Sequence, residues 1–532
     1  MAENDQTIRK IDWKSVFPFI HLFRGFRLAI DPSKLVLALA AILLLYVGGR
    51  LMDSIWPTHS RAMPDEIARY AAANPEDDFH AVRKRAADAR YTAIKAAISG
   101  VEKADDLSDV CDNLEDERDK AIDAANEAYN KLPDDVKKDD AQDKEARKSR
   151  DAAIERAYAT YASDCRAVRN LGGQGLFIHF IEYQINQVDL AAAGATSLDA
   201  VLTLDALSNF FFTAPKWAIT QHYVYFTVFF AFYVLVMAIT GGAITRISAV
   251  QVARDEKISV RQALRFSTGK VLSFIFAPLI PIIIVVVIGL VLGVLSMFMS
   301  VGYIGGLWSI VVGALFVLAL IAGLVMTLTS LGLVGGGHLM YPTIAVEGSD
   351  SFDAVSRSFS YLYARPWQLI FYSVVALVYG AITYLFVRYF LYLLLYLTHA
   401  GVGLFMWGDA YDGTSLMTAI WPAPTNPMNL SYEVNFAALG GLHSIGAFLV
   451  AFWVYITIAM LGAYAISLYF SSSTIIYYLM RREVDATAMD EVYLEPSDDD
   501  FADAQPEPTT AAETPAPAAP DATTTPENPP AT

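Results

Sequence analysis

The stretch Phe274–Met299 reads FIFAPLIPIIIVVVIGLVLGVLSMFM and contains no charged side chain. A bilayer core takes about 20 apolar residues per helix. A soluble core helix is rarely so long and so free of charge, so this stretch predicts a membrane span. Five further stretches meet the same criterion: Leu35–Ile55, Trp217–Ile244, Gly306–Val334, Gln368–Leu397 and His443–Ser472. The expected fold is all-α, a polytopic helical membrane protein of about six spans. Over 532 residues, 55% hydrophobic and 18% charged excludes an ordinary soluble enzyme.

The net charge of -17 divides by region. Residues 53–216 carry -10, residues 483–532 carry -13, and the remainder carries +6. Five segments follow: a cytoplasmic amphipathic segment 1–34, a first transmembrane helix 35–55, an exoplasmic helical domain 56–216, a five-span bundle 217–480 and a disordered acidic cytoplasmic tail 481–532. The first span has a long leader and no small-x-small cleavage site after it, so it reads as an uncleaved anchor.

Lys and Arg set the orientation. They crowd before the first span (Arg9, Lys10, Lys14, Arg24, Arg27, Lys34) and between spans two and three (Arg246, Arg254, Lys257, Arg261, Arg265, Lys270). Arg357 and Arg365 precede span five, and Arg481 and Arg482 follow span six. The opposite loops, 300–305 and 398–442, have no Lys or Arg. Both termini are expected in the cytoplasm and residues 56–216 outside, in a bacterial inner membrane. Trp13, Phe17, Ile20, Phe23 and Arg24 suggest a basic aromatic helix lying on the inner surface.

Two inner loops share a pattern at an offset of 92 residues. Asp255, Ser259 and Arg265 match Glu347, Ser351 and Arg357. Ser259 and Ser351 would each cap a short amphipathic helix, with Pro366 in the first turn of span five. Pro278 and Pro281 are expected to interrupt the start of span three. Spans two–three and four–five then form parallel pseudo-repeats, a device transporters use; interfacial helices that match by chance are the other reading. Gly289-x3-Gly293 and Gly332-x3-Gly336 let helices approach closely, for internal packing or a homo-oligomer.

In the outer insert, Asn74-Pro75 opens a helix. Cys111, Leu114, Arg118, Ala121, Ala125, Ala128 and Leu132 follow 3-4 spacing, as do Ile154, Tyr158, Tyr161, Cys165 and Val168. This is the seam of an antiparallel coiled-coil hairpin, with Arg118 as a defect and the turn at Leu132-Pro133-Asp134-Asp135. The midpoint of Cys111 and Cys165 falls near that turn, so the thiols would face each other. A Cys111–Cys165 disulfide is predicted, adding roughly 4 kcal/mol by closing the loop; two reduced core cysteines are the alternative.

Chemistry-bearing motifs are absent. There is no phosphate loop, dinucleotide fingerprint, H-E-x-x-H or zinc spacing, and the eight His are scattered. No cofactor, metal or nucleic acid is implied. Gly348-Ser-Asp-Ser351 lacks the setting of a hydrolase serine, and Ser351 reads as a helix cap. Arg388, late in span five, is a candidate because intramembrane charges face a partner or a cavity; snorkelling to the outer interface is the simpler role. Asp255 and Glu347, beside Arg265 and Arg357, are candidates for ion pairs at helix ends, or for a gate.

The run Met340-Tyr-Pro-Thr-Ile-Ala-Val-Glu-Gly-Ser-Asp-Ser-Phe-Asp-Ala-Val-Ser-Arg-Ser-Phe-Ser-Tyr-Leu-Tyr-Ala-Arg-Pro-Trp367 resembles a segment of uncharacterised multi-pass bacterial envelope proteins. So does Ala253-Arg-Asp-Glu-Lys-Ile-Ser-Val-Arg-Gln-Ala-Leu-Arg-Phe-Ser267. The Ala/Ser amphipathic helix before a span distantly resembles the membrane domain of some glycerophosphodiester phosphodiesterases. The resemblance covers the membrane body and implies a six-span inner-membrane bundle. It brings no catalytic residues, because the phosphodiesterase barrel has no counterpart here. The expected function is non-enzymatic: a bundle that contacts membrane lipids and presents an exoplasmic arm to a protein partner, in envelope organisation or a membrane complex. A transporter or channel-like permease with a site near Arg388 is the alternative.

Overall fold

The computed structural model describes residues 17–56, 62–63, 65–73, 79–97, 107–133, 137, 139–171, 175–411 and 413–494. The described residues up to Val492 belong to one compact unit, and Tyr493 and Leu494 lie outside it. The described residues are almost entirely helical and form no strands; loop residues contribute isolated bridges such as Asp409 with Ser415.

Six helices are long and apolar enough to cross a membrane: Pro32–Ile55, Tyr223–Arg254, Val271–Ser300, Phe316–Glu347, Pro366–Gly403 and Gly441–Asp485. Their bounds differ from the apolar stretches for local reasons. The backbone breaks at His222 (φ -136), so Trp217 belongs to a separate helix, Ala214–Gln221. The second long helix continues past the last apolar run to Arg254, which places Arg246 inside the bundle rather than in a loop. Arg246 is buried, donates to the Ala345 carbonyl at 2.7 Å and lies 4.4 Å from the centre of the Phe266 ring. The third helix runs through Pro278 and Pro281 without interruption. The sixth, at 45 residues, is about 68 Å long, twice the hydrocarbon core, so its polar end extends beyond the apolar layer.

The second and sixth helices form the centre of the bundle. The first packs on both, the fourth touches the second, third and sixth, and the fifth leans on the sixth. The core is concentrated towards one end, where Val236–Val252, Leu461–Met480 and Leu339–Val346 supply most buried side chains. The far halves of the third and fourth helices are apolar and largely exposed, from Ile282 to Leu328. Gly332 and Gly336 fit against Phe359 and Ser358; Gly293 has nothing within 4 Å of a notional Cβ. At Gly289 a Cβ would meet the end of the Met326 side chain at 3.6 Å, an ordinary contact, so the close approach falls at Gly332 and Gly336.

The parallel loops have matching architecture. The second and fourth helices are both 32 residues long and both end at a left-handed residue, Asp255 (φ 58) and Gly348 (φ 65). A short amphipathic helix follows each: Val260–Gly269 and Ser351–Ala364. Ser259 caps the first through the Gln262 N–H. Asp350, not Ser351, caps the second, because its extended backbone lets the carboxylate accept from the Asp353 N–H at 2.9 Å. Pro366 occupies the first turn of the fifth helix as expected.

The N-terminal segment keeps Phe17 and Phe23 partly exposed and also packs against the fifth helix. Pro18–Arg24 and Gly25–Ala29 bury Leu22, and Phe19, Phe23 and Phe26 pack edge-on against Phe371, Tyr379 and Phe386 of the fifth helix. Trp13 lies outside the described residues.

In the insert, Leu107–Asn130 and Asp140–Leu171 pack along one another. Near the turn, Tyr129 Oη donates to Asp143 at 2.6 Å. Arg118, expected as a seam defect, is 5.7 and 4.7 Å from the Tyr158 and Tyr161 ring centres and is bonded to Glu115 and Asp119. Its guanidinium fills the seam by stacking rather than as an unpaired charge. The side chains of Cys111 and Cys165, and Asn74-Pro75, lie outside the described residues.

Candidate functional site: polar ties between insert and bundle

Arg388 is the most informative candidate. It is 2% exposed. Nη2 donates to Asp189 Oδ1 at 2.6 Å and to the Met428 carbonyl at 2.7 Å. Nε donates to the Pro427 carbonyl at 2.7 Å, and Tyr384 Oη lies 3.4 Å from Nη1. A guanidinium has five N–H donors in a fixed fork, and four acceptors surround this one. Asp189 comes from Leu176–Ser197, the last long helix of the insert, and Pro427 and Met428 come from the loop joining the fifth and sixth helices. One side chain thus joins three segments. Snorkelling to an interface is not its role.

The same loop reaches the hairpin. Tyr411, whose N–H donates to the Ala438 carbonyl, stacks on Tyr158 at 4.5 Å and 9°. Tyr158 is therefore held between Tyr411 and Arg118. Two aromatic rings at these positions were visible in the sequence, but nothing in it placed them together.

A second tie involves Asp53 at the end of the first helix. Oδ1 accepts from the Phe177 N–H at 3.0 Å and from Tyr225 Oη at 2.7 Å, while Oδ2 accepts from the Ile178 N–H at 3.2 Å. A carboxylate here satisfies orphan amides and the positive end of the Leu176–Ser197 helix. Gly175 makes this possible, since a Cβ there would lie 2.1 Å from Asp53 Oδ2.

A third tie surrounds Glu66, which is 2% exposed. It accepts from the Met63 N–H at 2.8 Å and Trp217 Nε1 at 3.2 Å; His222 Nε2 and Arg83 Nε each lie 3.4 Å away. Burial opposes the ionised form. The His222 ring, the Met63 N–H and the Arg83 charge nevertheless hold the Glu66 carboxyl below its usual range. His179 packs edge-on to Trp217, and burial pushes its imidazole below the ordinary value.

At the opposite end of the bundle the structure brings Glu347 and Arg357 together, with 2.9 Å from Nε to Oε2. Tyr477 Oη and Arg481 also point to Glu347, and Asp353 pairs with Arg357 at 3.2 Å. Asp255 takes different partners from those expected: Arg24 at 3.1 Å and Arg27 at 3.4 Å. Arg265 stands on the exposed face of its helix. Asp31 caps the first helix through the Ser33 N–H and meets Gln251 and Lys257; against burial, these three hold its carboxyl below the usual range.

Lys34, read in the sequence as one of the leading basic residues, is fully buried. Its Nζ lies 3.2 Å from Ser248 Oγ and 3.3 Å from Ser471 Oγ. Among the described residues no group of three or more His, Cys, Asp or Glu could hold a metal ion. These clusters all join elements to each other. No family model, curated protein or solved structure matches this chain.

Proposed function

We propose that this chain is a non-enzymatic, multi-pass inner-membrane protein whose bundle mounts an exoplasmic helical arm for a protein partner, in envelope organisation or as a subunit of a membrane complex. Both termini are cytoplasmic in this reading, following the Lys/Arg bias of the loops. The observation that carries it is the use made of Arg388. Its donors are directed at Asp189, Pro427 and Met428, so it fastens the arm's base and the outer loop to the fifth helix. Asp53 does the same from the first helix, and Trp217, on the approach to the second, does so through Glu66. A site for solute passage would leave such donors facing a hydrated space. Donors directed at these acceptors support the mounting reading over the permease.

The test is site-specific photo-crosslinking in cells from exposed arm positions, Glu117, Asp123 and Glu155, alongside exposed bundle positions, Leu290 and Leu377. Discrete adducts from the arm, lost on deleting residues 107–171, are expected. Adducts confined to the bundle, or unchanged by the deletion, would overturn the proposal. Solute flux in proteoliposomes that is lost in Arg388→Ala would favour the permease.

A further inference from the structure

Cations outnumber acids at the corner where the second helix ends. Arg24 and Arg27 share one carboxylate oxygen of Asp255, and Lys257 reaches Asp31 at 3.3 Å. These pairs neutralise the corner only in part, since the Arg27 and Lys257 side chains keep 67% and 77% of their surface in solvent. Arg254, the last residue of the second helix, and Arg261, in the first turn of Val260–Gly269, are both exposed. Neither has an ion-pair partner among the described residues. Asp31, Asp255 and Glu256 are the carboxylates on these segments.

Beside this corner the surface becomes apolar. Ile30 and Val36 are exposed, and Leu44, Val47 and Leu51 extend the exposed face up the first helix. From Val36 to Leu51 this stripe rises about 22 Å, enough to cover the ~15 Å depth of one leaflet. A surface with excess guanidinium and ammonium groups at one end and an apolar stripe leading away from them matches a molecule with a charged head and a hydrocarbon chain.

We infer that this corner binds the headgroup of an anionic phospholipid, with an acyl chain along the Ile30–Leu51 face. The phosphate takes the donors of Arg27, Arg254, Lys257 and Arg261. A second negative charge on the headgroup region is unnecessary; net negative charge is what distinguishes the ligand from a zwitterionic lipid, whose choline cancels the gain. The stripe distinguishes it from free phosphate. The inference rests on the membrane placement proposed above, but not on the arm.

The test uses the purified full chain in a neutral detergent, with lipid retention read by native mass spectrometry. The probes are dioleoyl phosphatidylglycerol, dioleoyl phosphatidylcholine and inorganic phosphate. Phosphatidylglycerol should bind at least about tenfold more tightly than phosphatidylcholine, and the preference should shrink as salt rises. Arg27→Gln/Arg254→Gln/Arg261→Gln should weaken phosphatidylglycerol binding on the order of 100-fold. Glu256→Gln, which removes a negative charge without breaking an ion pair, should strengthen it. Lys120→Gln/Lys131→Gln/Lys148→Gln on the hairpin should leave it unchanged. Equal retention of both lipids, a preference surviving in the triple Arg variant, or displacement of lipid by millimolar phosphate would overturn the inference. If the triple variant does not fold, Glu256→Gln and the single Arg254→Gln decide it by opposite shifts, and no shift in either counts against it. Arm crosslinks are read separately, so failure of one proposal leaves the other standing.

Discussion

Arg388→Met removes the guanidinium while keeping an apolar side chain of similar length. Asp189 would then be a partly buried carboxylate without its counter-charge, and the Pro427 and Met428 carbonyls would each lose a donor. Breaking a fully buried pair costs about 3–5 kcal/mol. Asp189 keeps 19% of its side chain exposed, which lowers the charge contribution towards the bottom of that range. Each orphaned carbonyl adds about 1 kcal/mol. A loss of about 5 kcal/mol is expected. Asp189→Leu leaves Arg388 its two carbonyls and should cost less, about 2 kcal/mol. The double variant removes the uncompensated charge and leaves only the unpaired carbonyls, so it should cost about 2 kcal/mol. The resulting coupling energy is about 5 kcal/mol, measured by urea unfolding of the four proteins in one detergent. Proteolysis at residues 404–440 should accelerate in Arg388→Met and partly recover in the double variant. Additive losses with a coupling below about 0.5 kcal/mol would refute the clamp.

Other substitutions probe the remaining ties. Gly175→Ala should displace the Asp53 carboxylate from the Phe177 and Ile178 amides, and Asp53→Asn should weaken the same cap; each is expected to cost about 1–2 kcal/mol, read by thermal unfolding. Lys34→Met should be neutral or stabilising, because it removes a buried ammonium and leaves Ser248 and Ser471 3.1 Å apart; a loss above about 2 kcal/mol would refute this. Acid should loosen the insert in two steps. The folded-state value of His179 lies below its unfolded value of about 6.5, so the unfolded chain gains a proton first and stability falls as pH drops below that value. The Glu66 contribution is present above its unfolded value, about 4.5, and is lost as pH falls through the lower folded value. His179→Phe should flatten the upper step alone in a series of melting temperatures from pH 7.5 down to about 3.

The helices were legible because lipid-facing length and apolarity need no partner to be recognised. Their ends were not. Arg246 and Lys34 read as loop charges, since a charged residue normally ends an apolar run; both instead project into the bundle, where the Ala345 carbonyl, the Phe266 ring and two serines receive them. The Ser259 cap follows from local spacing, whereas the second cap depended on whether Asp350 or Ser351 adopted the extended backbone, a choice between adjacent capping residues. Arg388 could be singled out by its position in an apolar helix. Asp189, Pro427 and Met428 could not, being 199, 39 and 40 residues away in the chain. The Glu66 cluster gave no signal at all: a Glu, a Trp and a His at unremarkable spacing become a site only when the short helices around them fold together.

Helices in lipid gain little by burying apolar surface against one another, since hydrocarbon solvates them as well as a neighbour does. The orientation of an arm on such a bundle therefore depends on directional contacts. Here these come from three places: the fifth helix through Arg388, the first through Asp53, and the approach to the second through Glu66 and Trp217. Loss of one leaves two, so a single variant should lower stability without freeing the arm. Asp53→Asn combined with Arg388→Met leaves only the Glu66–Trp217 tie, a single pivot about which the arm should swing freely. Spin labels at Glu117 and Leu290, on the arm and on the third helix, report this as a distance distribution. It should stay narrow in wild type and in each single variant, and broaden in the double variant. A distribution already broad in wild type would mean that the ties do not fix the arm, and a single variant as broad as the double would mean that one tie does all of it.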